Sequence, residues 1–210
     1  MSKVILFQGD SITDALRPKD PEIPANNGLG CGYALMVAGD LLSSEPEKDY
    51  QIYNRGISGN RVVDLYARWK IDALNLKPDI ISILIGVNDT GHERAYHNGV
   101  ELPRYDQVYR MLLDWTKEEL PETKIILLEP FVLVTGSVTE EWLDEINGRR
   151  RIVKKIAEDY GAIFLPCQSI LDEAVKSAPP AYWVRDGIHP TAAGHKLIAD
   201  AWIKATAAIR

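Results

Sequence analysis

Cysteine is nearly missing from this chain: there are two, Cys31 and Cys167, far apart in sequence and without any C-x-x-C spacing. A disulfide framework and a thiolate zinc site are thereby excluded, and both thiols are expected to be small buried apolar residues. Only four histidines occur, no two with the H-x-x-x-H spacing of a helical metal site, so neither a metal nor any other cofactor is implied. Basic excess is also missing. With 24 Lys and Arg against 30 Asp and Glu, the formal charge is −6, and the cations are scattered, which argues against a nucleic-acid partner. No long apolar run exists: the first, Val4–Phe7, meets polar residues at once and is too short for a signal h-region or a membrane span. A membrane partner is therefore not expected, and the cytoplasm is the expected compartment. Low-complexity tracts and internal repeats are absent as well, and 210 residues suffice for one domain, 1–210, with ~70% of the unfolded surface buried.

What is present is alternation. Short runs that are apolar through the middle, "VILF" (4–7), "YQIYN" (50–54), "IISILIG" (80–86), "KIILLE" (124–129) and "AIFLP" (162–166), read as parallel strands covered on both faces. Between them "YALMVAGDLLSS", "VVDLYARWKIDALN", "YDQVYRMLLDWTKEEL" and "EEWLDEINGRRRIVKKIAEDYG" carry a helical rhythm, as does the C-terminal "TAAGHKLIADAWIKATAAI". The pattern predicts an α/β fold: a three-layer α/β/α sandwich around a parallel sheet of about five strands in flavodoxin-like order.

In such a sheet, ligands bind beyond the carboxyl ends of the strands. There the chain places its unusual segments: "GDSIT", then the Pro- and Gly-rich Arg17–Gly30 stretch, which reads equally as a lid or a subunit contact; "RGISGNR"; "VNDTGHERAYHNGVELPR", read as a loop; "PFVLVTGSVT"; and "SAPPAYWVRDGIHPT". His189 follows Asp186 by three residues, a spacing that lets a carboxylate hold the imidazole in one tautomer while the other ring nitrogen takes a proton from a hydroxyl. Ser11 is the candidate hydroxyl, although a serine after a strand also reads as a helix cap. Gly59, through its backbone N–H, and Asn88 are candidate donors to an oxyanion. Ser58 is no rival nucleophile, because Asn60 stands where G-x-S-x-G requires glycine, and it reads as part of a tight turn. Asp10 and Asp14 read as caps or loop hydrogen-bonders.

The four blocks "GDSIT", "NRGISGN", "GVND" and "DGIHP", in this order from Gly9 to His189, closely resemble the SGNH hydrolases, the GDSL family of esterases and lipases. The resemblance implies a Ser-His-Asp triad of Ser11, His189 and Asp186, with Ser11, Gly59 and Asn88 forming the oxyanion hole. "GDSI" departs from GDSL by one isoleucine, a packing change. The single-domain length, "RGISG" with the following "ARW" at Ala67–Trp69, and a tryptophan shortly before the aspartate resemble the acetylxylan-esterase-type members. These imply a small acetylated carbohydrate as the substrate partner, no cofactor, and assembly into a homo-oligomer. Tyr182 and Trp183 offer a surface for a sugar ring, with packing of Trp183 under the last helix as the alternative. His92 and His97 read as solvated loop residues that overhang the cleft within reach of substrate, and His195 as structural. Arg149–Arg151, followed by two lysines, reads as a solvated helix face or else an oligomer contact. Other readings stay open: a lysophospholipase or thioesterase of the same family, a metal-dependent phosphatase built on Asp10, Asp89 and Asp186, and a silent carbohydrate-binding protein.

Overall fold

The computed structural model describes residues 2–210. Five parallel strands, β1 (Val4–Gly9), β2 (Gln51–Asn54), β3 (Ile80–Leu84), β4 (Lys124–Leu128) and β5 (Ile163–Leu165), form one sheet in the order β2-β1-β3-β4-β5. This is the doubly wound, flavodoxin-like arrangement expected from the alternation.

Because side chains alternate across a strand, each strand feeds two cores. Ile5, Phe7, Ile80, Leu84, Ile126 and Leu128 face one side, under α2 (Tyr33–Ser44) and α9 (Ala192–Thr206). Leu6, Ile81, Ile83, Ile125 and Leu127 face the other, under α3 (Val62–Asp72), α5 (Leu102–Glu119) and α6 (Leu143–Tyr160). All five β3 residues are buried, which is why that segment reads as an unbroken apolar run. Its one hydroxyl, on Ser82, accepts from the Trp202 indole at 3.1 Å, so the polar atom in the core is satisfied.

Winding starts to the left of β1 and restarts to its right, so the ends of β1 and β3 flank the topological switch point. Ser11 opens α1 (Ser11–Asp14) directly after β1, and Asn88 lies in the first turn of α4 (Val87–Tyr96) after β3. The α4 segment corrects the loop expected there. It carries no apolar stripe, and its buried residues are Val87, Asp89 and Thr90, two of them polar. Two more short helices, α7 (Cys167–Ala174) and α8 (Pro180–Trp183), precede α9.

The Arg17–Gly30 segment packs on its own molecule. Asn26 pairs with the outer edge of β2, its N–H donating to the Ile52 carbonyl at 2.8 Å and its side chain joining Tyr50 and Ile52. Arg17 is buried and donates to the Gly56 carbonyl at 2.7 Å. The edge strand is thus covered rather than left as a template for pairing. Two other expectations are corrected. Cys167 is buried, but Cys31, in the bend just before α2, is exposed. Arg149 belongs to no solvated face: it is fully buried inside α6, held by hydrogen bonds that the charge run did not reveal.

Candidate active site

Ser11, His189 and Asp186 come together as one hydrogen-bonded line. The Ser11 hydroxyl and His189 Nε2 are 2.8 Å apart across 178 residues of sequence. On the far side of the ring, Nδ1 lies 2.8 Å from Asp186 Oδ2. The second carboxylate oxygen, Oδ1, accepts the backbone N–H groups of His189 at 2.8 Å and of Ile188 at 3.0 Å. Burial would raise the Asp186 pKa, but the two backbone donors and the imidazole outweigh it and hold the carboxyl at about 2. Asp186 is therefore ionised and acceptor-only, which places the Nδ1 proton on its side of the ring and leaves Nε2 to accept from Ser11.

Each partner has its own support. The preceding residue, Asp10, caps α1 by accepting from the Ile12 N–H at 3.0 Å, so the capping role falls to Asp10 and the Ser11 hydroxyl is free to face the imidazole. Ile12, the departure from GDSL, is buried in the core. The Asp186–Gly187 backbone rests in the loop after β4, where Ser137 donates to the Asp186 carbonyl from both N–H and hydroxyl at 3.0 Å, and Leu133 N–H donates to Gly187 at 3.0 Å. A Cβ on Gly136, whose φ is +59°, would come within 2.6–2.7 Å of the Asp186 backbone. Sequence alone assigns these loop residues no role: the "TGS" turn signal marks a loop but not what it holds.

The Gly59 turn lies against α1. Ser58 donates to Asp14 Oδ2 from its N–H at 2.8 Å and from its hydroxyl at 2.9 Å. Burial would raise the Asp14 pKa, but an ion pair with Lys19 and the Ser58 bonds bring it below the usual carboxylate value. Asn54, buried at the end of β2, fastens the same region by donating to the Thr13 and Leu29 carbonyls at 2.6 and 2.9 Å. Gly59 has φ +83°, a conformation that glycine alone adopts freely. The Asn88 amide donates to the Asn60 carbonyl at 3.1 Å, joining the first turn of α4 to that turn. No hydrogen bond among the described residues engages the Ser11 or Gly59 N–H.

The remaining candidates divide. His92 stands one helical turn beyond Asn88, with Cε1 3.9 Å from where a Gly59 Cβ would be, edge-on to Tyr96. His97 ends α4 at the opposite end from Asn88, with its side chain 93% exposed. Tyr182 is exposed, while Trp183 is half-buried against the core and edge-on to Tyr182 at 4.9 Å between ring centres. His195 is buried in α9, and its Nδ1 accepts the Tyr33 N–H at 3.2 Å. Burial pushes its pKa down to about 4, so it stays neutral. Asp10, Asp89 and Asp186 each have a separate engagement: the Ile12 N–H, the Val62 N–H at 3.0 Å, and His189. Among the described residues no three His, Cys, Asp or Glu side chains converge as metal ligands.

Comparison with known proteins agrees with this architecture. Residues 7–197 match the GDSL-like Lipase/Acylhydrolase family. The chain is 37% identical over 205 residues to an acetylxylan esterase of Geobacillus stearothermophilus, covering 95% of this chain and 92% of that protein. The crystal structure of an acetylxylan esterase from that organism superposes with a TM-score of 0.88 at 36% identity, over 97% of this chain and 93% of that one. A GDSL-like lipase candidate from Parabacteroides merdae superposes with a TM-score of 0.93 at 43% identity, over 100% of this chain and 97% of that one. The chain belongs to the GDSL-like lipase/acylhydrolase family, the SGNH hydrolases, and is a carboxylic ester hydrolase.

Proposed function

We propose that this esterase removes acetyl groups from acetylated sugars, small xylo-oligosaccharides above all, through an acyl-enzyme on Ser11. The observation that carries the reading is the line Asp186–His189–Ser11, with 2.8 Å at both links of the imidazole. His189 Nε2 takes the Ser11 proton as Oγ attacks the ester carbonyl, and Asp186 steadies the imidazolium that results. The tetrahedral oxygen then faces the Ser11 N–H, the Gly59 N–H and the Asn88 amide. His189 returns the proton to the departing sugar hydroxyl, leaving acetyl-Ser11, and water repeats the sequence to release acetate.

Support for the acetyl-sugar substrate comes from the acetylxylan esterase relative at 37% identity. Solved catalytic mutants of the Geobacillus enzyme replace a serine, an aspartate and a histidine, the three residue types aligned here. His92, beside the Gly59 turn, and Tyr182, exposed before Asp186, are the side chains we assign to the sugar; Trp183 supports Tyr182 from the core, and His97 has no part. The compartment in this reading is the cytoplasm, and the substrates are short acetylated oligosaccharides.

The test is acetate release from peracetylated xylobiose, beside a ladder of p-nitrophenyl esters of rising acyl length, with Ser11→Ala in parallel. Fast acetate release that falls steeply beyond short chains and vanishes in Ser11→Ala is the expected result. A preference for long chains moves the substrate to lipids or thioesters, and serine-independent hydrolysis refutes the mechanism.

A further inference from the structure

Arg149 is the one cationic side chain among the described residues with no exposure at all, and it lies beneath the element that carries Asn88. Its Nε donates to the Thr90 hydroxyl on α4 at 2.8 Å, and its Nη2 donates to the Val100 carbonyl at 2.6 Å. Val100 N–H in turn donates to the Asp89 carbonyl at 3.1 Å, closing the far end of α4 back onto its start. Glu145, one turn earlier on α6, pairs with the same guanidinium, whose carbon sits 4.9 Å over the ring of Tyr105. The Tyr105 hydroxyl donates to the Ile85 carbonyl at 2.8 Å, just before α4 begins. The positive charge also lowers the cost of ionising buried Asp89, which receives the Val62 N–H and so links α4 to the start of α3. Apart from Glu145 on its own helix, the contacts of this cation are Thr90 on α4, Val100 on the segment leaving it, and Tyr105 on α5, whose hydroxyl reaches the segment entering α4. A cation is expensive to bury, and one placed so that its partners straddle Asn88 has a stronger account than packing alone.

We infer that Arg149 is a positioning residue for ester hydrolysis: through Thr90, Asp89 and Tyr105 it sets the first turn of α4, and hence the direction of the Asn88 amide at the oxyanion. The inference rests on the proposed role of Asn88. Loss of one oxyanion donor costs about 100- to 1000-fold in kcat, and misdirecting one costs part of that. Arg149→Met is therefore expected to lower kcat for p-nitrophenyl acetate about 10- to 100-fold with KM within about twofold. In an Asn88→Ala background the same substitution should have little further effect, because the donor it aims has gone. Arg149→Lys, which keeps the charge but not the fork, should recover part of the loss. Thr90→Val removes only the Nε contact and serves if Arg149→Met does not fold; it should reduce kcat about threefold or more, and again only when Asn88 is present. Equal losses in both backgrounds, or a Thr90→Val enzyme with wild-type kcat, would overturn the inference. An Asn88→Ala enzyme with wild-type kcat would instead overturn the oxyanion reading beneath it.

Discussion

Asp186→Asn is a sharper perturbation here than removal of the side chain. Asp186 Oδ1 accepts two backbone N–H groups, from His189 and Ile188, and Oδ2 faces His189 Nδ1. An asparagine must give its carbonyl oxygen to the two fixed backbone donors, since the flipped amide would set N–H against N–H twice. The NH2 group then points at Nδ1 and makes that nitrogen an acceptor. The imidazole proton moves to Nε2, where it faces the Ser11 hydroxyl and can no longer receive its proton. The wrong tautomer in a serine hydrolase costs about 10,000-fold in kcat. Asp186→Ala leaves Nδ1 unconstrained, so a fraction of rings keep the productive tautomer, and we expect it to be the more active of the two. Rates on p-nitrophenyl acetate and the ¹⁵N shifts of the imidazole measure both consequences. An Asp186→Asn enzyme within tenfold of wild type, or one whose His189 carries its proton on Nδ1, would refute the reasoning.

Further expectations follow from single features. Gly59→Ala meets no neighbour closer than 3.9 Å, so it should lose only about 1–2 kcal/mol for a side chain at φ +83°, yet the tilted N–H should lower kcat about tenfold; urea unfolding and steady-state kinetics separate the two. Burial, with help from nearby Asp89, raises the Asp10 pKa from 3.8 to about 7. Its neutral form therefore favours folding fully below pH 3.8, and that advantage drains away as the pH rises through about 7. Asp10→Asn keeps an acceptor for the Ile12 N–H and should gain on wild type over that window by on the order of a few kcal/mol, read from urea midpoints; a constant difference across pH would count against the raised pKa. Asp186 contributes in the opposite sense: depressed to about 2, it adds stability above its ordinary value of 3.8 that is lost only as pH falls toward 2. A chelator should leave hydrolysis unchanged, whereas a loss restored by a divalent ion would return Asp10, Asp89 and Asp186 to the metal reading.

The strands were legible almost residue by residue, because a sheet buried on both faces leaves its mark as an apolar run, as in Ile80–Leu84. The helix α4 was not. It buries Asp89 and Thr90 through hydrogen bonds to Val62 and Arg149, and partners on other elements cannot be read from periodicity. Arg149 misled for the same reason, since three successive arginines look alike until one of them finds Thr90, Val100 and Tyr105. At the site, the Asp186–His189 spacing was visible because both residues share a loop, and Ser11 because it follows a strand. The Ser137 and Gly136 cradle stayed hidden, its purpose lying fifty residues away in Asp186.

The pairing of Asp186 with His189 inside one three-residue step has a consequence for how activity arises as the chain folds. Base and orienting acid can find each other locally, from a single stretch near the C-terminus, while the serine waits at the end of the first strand. The only link among the three that spans the chain is Ser11 to His189, so turnover begins when the last helix and its preceding loop dock on the first strand. Esterase activity would then serve as a reporter of that docking, silent in any state that has the sheet but not the C-terminal segment in place.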